Sequence, residues 1–109
     1  MYYFVMSKKL ILIRHAKSYW GEKGRLFYKG NDYDRPLNDR GKKNAELMSQ
    51  YFIKNEIRVD YIFSSSAKRA TETLNYFNKK NITKLGYGTY KELYTFQYHD
   101  LIKFVKKID

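Results

Sequence analysis

Leu10-Ile11-Leu12-Ile13-Arg14-His15 is the stretch on which the reading of this chain turns. Four consecutive large aliphatic residues predict a short strand covered on both faces, as in the parallel sheet of an α/β protein. The run stops at an arginine and a histidine, so both would stand at the C-terminal tip of a strand. In an open α/β sheet, ligands bind just outside those tips. Adjacent residues of a strand point to opposite faces, so Arg14 and His15 converge only if the backbone bends just past Ile13.

Residues 16 to 37 show no steady period and carry Gly21, Gly24, Gly30 and the sole proline, Pro36. A loop of that length in a compact domain is usually functional or mobile. Asn38 then reads as a helix N-cap, with Asp39 in the first turn where the helix dipole favours an acid. Ala45, Met48 and Phe52 share one stripe of that helix, with Leu47 and Tyr51 beside it, and the helix is expected to end near Asn55. Val59 to Phe63 reads as a second strand. Ser64-Ser65-Ser66 follows as the cap of a second helix, in which Ala70, Thr73, Leu74 and Phe77 fall at helical spacing. A weaker strand around Lys84 to Tyr87 is blurred by Gly86 and Gly88. Leu101, Phe104, Val105 and Ile108 share one face of a last helix. The order β-α-β-α-β-α predicts a three-layer α/β/α fold with a mostly parallel sheet.

The whole composition agrees with one small domain: 109 residues, 43% hydrophobic and 18% aromatic. Zero cysteines exclude disulfides, iron–sulfur clusters and thiol catalysis. No apolar run approaches the roughly 18 residues of a membrane span. Met1 to Met6 is apolar but short, and the lysines follow it instead of preceding it, so it does not read as a secretion signal. The expected location is the cytoplasm. A formal net charge of +11 attracts anions. Only six of the 22 basic residues are arginine, the residue that forks onto phosphates and bases, and no aromatic-basic face is evident. Specific nucleic-acid binding is therefore not expected.

Arg14 and His15 after the first strand, and Arg69 in the first turn of the helix after the second, would share one rim. Two guanidiniums can neutralise phosphate oxygens, and an imidazole can attack phosphorus. Taken singly, each is an ordinary surface or capping residue. Their combination is more specific. Leu10 to Ser18, then Asp34-Arg35-Pro36-Leu37-Asn38-Asp39-Arg40-Gly41, then Asp60 to Thr73, resembles the histidine phosphatase superfamily, the phosphoglycerate-mutase-like fold. Arg14-His15-Ala16-Lys17-Ser18, Trp20 and the Asp-Arg-Pro-Leu-Asn segment look most like the SixA-type phosphohistidine phosphatases. The resemblance runs from about Lys9 to the end of the chain.

The resemblance implies a phosphatase that hydrolyses a phosphohistidine or a phosphomonoester. His15 would be the nucleophile that becomes phosphorylated, and Arg14 and Arg69 the phosphate-binding and catalytic arginines. No cofactor and no metal are implied. The implied partner is a phosphorylated substrate, in the SixA case a phosphohistidine protein; no membrane is implied. Glu92 lies about where many relatives carry a general acid. The sequence departs from the family in three places. Ser66 stands where a proline is usual, the segment from Tyr19 to Asp34 is longer, and the second catalytic histidine of a later strand does not occur before Asp109. His99, the only other histidine, reads as an ordinary helix-start residue. Residues 1–109 are thus expected to form one partial, C-terminally truncated domain that lacks the later strands. In the family sheet a missing strand would lie between those ending at His15 and Ser64. Its loss would expose sheet edges through which the chain could form a homodimer. The alternative function is a catalytically impaired remnant that binds phosphate or a phosphoprotein.

Overall fold

The computed structural model describes residues 9–95 and 97–108. Its principal elements are α1 (Asp39–Lys54), β1 (Ile62–Ser65), α2 (Lys68–Lys79), β2 (Tyr87–Tyr90) and α3 (Tyr98–Val105). Short 3-10 turns lie at Arg25–Phe27 and Lys91–Leu93.

α1 begins as its sequence dictates. The Asn38 side chain accepts a hydrogen bond from the Gly41 amide at 2.7 Å, which satisfies one of the donors a helix start leaves free. Gly41 is buried against the 16–18 segment. A Cβ there would fall on the Lys17 carbonyl, well inside contact distance, so only glycine lets the helix and that segment approach so closely. The buried stripe of α1 is Gly41, Ala45, Ser49 and Phe52. Ser49 replaces the expected Met48, which is about half exposed like Leu47 and Tyr51. Its hydroxyl donates to the Glu46 carbonyl at 2.7 Å, so burying it strands no polar group. Small residues on this stripe bring α1 close to α2, and Phe52 meets Phe77 edge to face at 5.1 Å.

β1 and β2 pair in parallel, Ile62 with Tyr87 through Ser65 with Tyr90. The pairing starts earlier, at a bridge between Val59 and Thr83. Between the bridge and the ladder the second strand carries one more residue than the first. Gly86, at φ 97°, lies in that stretch. The regular ladder resumes only past this irregularity, so the third strand lies at Tyr87–Tyr90 and not at the expected Lys84–Tyr87. Pleating sends Ile62 to one face, where it joins Phe52, Phe77 and the fully buried Ile82. Phe63 goes to the other face and meets Phe104 of α3 at 5.7 Å, with Tyr90 of β2 also 5.2 Å from Phe104. Helices thus cover both faces of the sheet, the α/β arrangement of the phosphoglycerate-mutase-like fold.

Two further local expectations fail. Ser64 and Ser65 complete β1 and do not cap α2, whose N-cap is Ala67 without a side-chain bond. Ser65 still accepts from the Ala67 amide at 3.2 Å, so the turn between strand and helix keeps its hydroxyl partner. Leu10–Ile13, expected as a doubly covered strand, forms no ladder. Its four side chains are between 46% and 65% exposed. The physical reason is pairing: the sheet of the described residues contains only β1 and β2, and neither lies alongside this run.

Candidate functional site

Past Ile13 the chain is pinned by side chains of α2 and by the start of α1. The Ala16 amide donates to Thr73 Oγ1 at 3.1 Å, and Thr73 donates to the Arg69 carbonyl at 2.7 Å. Thr73, one turn beyond Arg69, therefore serves as a polar anchor within the buried face of α2 instead of as apolar packing. Ser18 and Leu37 form an antiparallel bridge, and the Tyr19 amide donates to the Pro36 carbonyl at 2.7 Å. The loop between them is consequently closed at its base. Its returning arm is tied to the start of α2 by the Lys68 amide, which donates to the Tyr33 carbonyl at 2.9 Å.

This frame brings His15 and Arg69 together. Arg69 Nε donates to His15 Nε2 at 3.3 Å, and His15 Nδ1 lies 2.7 Å from the Ala16 carbonyl. A carbonyl only accepts, so Nδ1 carries the proton and Nε2 presents its lone pair. Burial holds the imidazole below its ordinary pKa. The Ala16 carbonyl works against that, and the positive charges of Arg69, Arg14 and Arg35 add to it. The net effect favours the neutral form of the His15 imidazole.

Around this pair opens a cleft of about 960 Å³ at the C-terminal rim of the sheet, where Ser65 ends β1 and Tyr94 follows β2. Five basic residues line it: Arg14, Lys17, Arg25, Arg35 and Arg69. Arg14 and His15 share this cleft because the segment that bears them is not held in a strand. Arg14 is exposed while Arg69 is buried. Among the lining residues one carboxylate stands against this charge, Asp32.

Arg35, Asp32, Ser18 and Tyr94 belong to the site without having been singled out from the sequence for it. Arg35 is only 4% exposed. It lies 3.5 Å above the Trp20 ring, donates to Ser18 Oγ and pairs with Asp32 Oδ1 at 3.1 Å. Its buried Nε has no hydrogen-bond partner. Asp32 Oδ2 accepts from Arg69 Nη2 at 3.2 Å and from the Tyr94 hydroxyl at 2.7 Å. Burial by itself raises the Asp32 pKa. The hydrogen bonds from Tyr94 and Arg35 and the charge of Arg69 outweigh burial and hold the carboxyl below its ordinary value. The signal for Arg35 was available in the Asp34-Arg35-Pro36-Leu37 segment. Apart from Arg35 three residues on, the partners of Asp32 lie 37 and 62 residues away, beyond any local pattern.

Glu92 and His99 lie elsewhere. Glu92 is exposed and lines a separate depression of about 350 Å³ with Lys103 and Phe104. His99 sits exposed in the first turn of α3, its ring 4.2 Å from that of Tyr98. Among the described residues no group of three or more His, Cys, Asp or Glu side chains could hold a metal ion, and no helix is long and apolar enough to cross a membrane.

The chain is an α/β protein with a basic cleft at the C-terminal rim of its parallel sheet, where an imidazole stands beside a buried arginine, a chemistry suited to an anion. The chain belongs to the histidine phosphatase superfamily (branch 1), which it matches over residues 10–94. It is 39% identical over 70 residues to a 2,3-bisphosphoglycerate-dependent phosphoglycerate mutase of Arthrobacter sp. FB24, covering 64% of this chain and 27% of that one. It is 46% identical over 61 residues to phosphoserine phosphatase 1 of Hydrogenobacter thermophilus, covering 56% and 26%. Among solved structures it superposes on a SixA of Agrobacterium tumefaciens, described as a phosphohistidine phosphatase. That TM-score is 0.72 at 24% identity, over 87% of this chain and 58% of that one. For a SixA of Nakamurella multipartitia the TM-score is 0.68 at 24% identity, over 90% and 50%. The chain thus spans about a quarter of the length of these curated relatives and a little over half that of the structural neighbours.

Proposed function

We propose that this chain carries the phosphoryl-accepting half of a phosphatase that hydrolyses a phosphohistidine or a phosphomonoester through a phosphohistidine on His15. The observation that carries the reading is the orientation of His15. Its Nδ1 proton is spent on the Ala16 carbonyl, which leaves Nε2 as the nitrogen with the lone pair, directed at Arg69 Nε within the cleft.

In this reading Nε2 attacks phosphorus, the bond from phosphorus to the leaving nitrogen or oxygen breaks, and the leaving group takes up a proton. Arg14 and Arg69 neutralise the phosphoryl oxygens, whose charge is what such a site must stabilise. Water then attacks the phosphorus of phosphohistidine, the N–P bond breaks, and inorganic phosphate leaves with His15 restored. Phosphohistidine is the preferred substrate on the likeness of fold to the SixA proteins, and an acidic phosphoprotein surface suits the five basic residues at the cleft. The cytoplasm is the proposed location. Self-association through the edge of β1, unpaired among the described residues, and the exposed Leu10–Ile13 run is part of the same reading.

A second reading, phosphate binding without turnover, is favoured by one observation: among the described residues no second histidine lines the cleft. One experiment separates the two. Phosphate release from a phosphoramidate and from an aryl phosphate is measured for the protein, His15→Ala and Arg69→Ala. The expected result is release abolished in His15→Ala and lowered about 10²- to 10³-fold in Arg69→Ala, the scale of losing one charge-stabilising donor. Rates equal in all three proteins overturn the phosphatase reading. Phosphate binding that needs Arg69, without turnover, establishes the second.

A further inference from the structure

The Arg69 guanidinium is engaged on every nitrogen from within the chain. Arg69 uses Nε on His15 Nε2, Nη1 on the Asp32 carbonyl at 2.7 Å and Nη2 on the Asp32 carboxylate. Arg35 grips the other oxygen of the same carboxylate. The Tyr94 hydroxyl adds a third donor to that group, and the Tyr33 ring packs edge to face on Tyr94 at 5.0 Å. Asp32 thus bridges the two buried arginines as an oxyanion, the one acid among the residues lining a cleft with five basic ones. A lone pair accepts one hydrogen or attacks one phosphorus, not both. While Arg69 Nε–H points at Nε2, the nucleophile is masked.

We propose that Asp32 is an internal ligand of the phosphoryl site: its carboxylate holds Arg69 over His15, and a phosphoryl group binds by taking the carboxylate's place on Arg35 and Arg69. The proposal rests on the phosphatase reading and adds the residue that sets its affinity. Displacement frees Arg69 to turn onto phosphoryl oxygens and unmasks Nε2 in the same movement. Binding the right anion and activating the nucleophile become one event. Apparent affinity is then reduced by the fraction of molecules in which Asp32 remains seated.

The test measures binding of inorganic phosphate by calorimetry to the protein, Asp32→Asn and Tyr94→Phe. In parallel, carbethoxylation of His15 by diethyl pyrocarbonate is followed by peptide mass, with exposed His99 as internal reference. Asp32→Asn is expected to bind phosphate about tenfold tighter, as follows if roughly nine molecules in ten are latched. His15 should react several-fold faster while His99 is unchanged. Tyr94→Phe, which removes one donor and no charge, should move both readouts the same way by less. Phosphate binding that is equal or weaker in Asp32→Asn, or His15 reactivity that does not rise, overturns the latch and leaves the phosphatase reading standing. Absence of phosphate binding in the wild-type protein and in Asp32→Asn alike overturns both.

Discussion

Leu10–Ile13 and Ile62–Ser65 are two short runs of the same kind, each leading toward an arginine of the cleft. The first has the stronger strand composition, four aliphatics in a row, yet it lies unpaired with all four side chains substantially exposed. The second ends in two serines and is a hydrogen-bonded strand, because β2 runs beside it and helices cover both faces. Apolar residues supply the incentive to form a sheet, but a strand needs a neighbour to take its amides and carbonyls. The contrast also shows how the site survives without the first strand. His15 is positioned by Thr73 and Arg69 of α2, not by a ladder through Ile13.

The largest effect expected from this contrast is on the covered side. Phe77→Ala removes a ring that is 4% exposed and faces Phe52 and Ile82. It should cost about 3–5 kcal/mol, read as a loss of cooperative thermal unfolding. A loss below about 1 kcal/mol would mean that the α1–α2–β1 core is not the stable half. Gly41→Ala tests the frame that joins the two regions. A Cβ on the Lys17 carbonyl forces the 16–18 segment away from α1, at a cost of about 1–3 kcal/mol in chemical denaturation. It should also weaken phosphate binding, since the displaced segment carries the base of the His15 loop. Retained binding with lowered stability would show that Thr73 alone positions His15.

The smallest effect is expected at the unpaired run. Leu12→Lys, at a residue 65% exposed, should leave monomer stability within about 0.5 kcal/mol. Any dimer seen by sedimentation at high concentration should weaken in this variant. A clear loss of monomer stability would mean that this run is paired in solution, and the comparison with β1 would fall.

Local physics made much of this fold legible in the sequence. The Asn38 cap, the extent of α1 and the amphipathic faces of α2 and α3 follow from side-chain periodicity and capping chemistry acting over a few residues, whereas the second strand, expected at Val59–Phe63, is regular only over Ile62–Ser65. The residues of the proposed phosphoryl site, Arg14, His15 and Arg69, were legible as a motif because their spacing follows the β-α-β order. Other features depend on which segments meet. Ser49 displaced Met48 from the core because close helix packing favours a small residue with a satisfied hydroxyl. The third strand is regular only from Tyr87 because the pairing that starts at Thr83 is interrupted by one extra residue before the ladder. Asp32 and Tyr94 joined the site through bonds spanning 37 and 62 residues, which no local pattern encodes. The sequence by itself determined the helices, the basic charge and the Arg–His signature. Only the tertiary structure decided that Leu10–Ile13 stays unpaired and that the cleft's one carboxylate sits between its two buried arginines, because hydrogen bonding between distant segments is settled by packing.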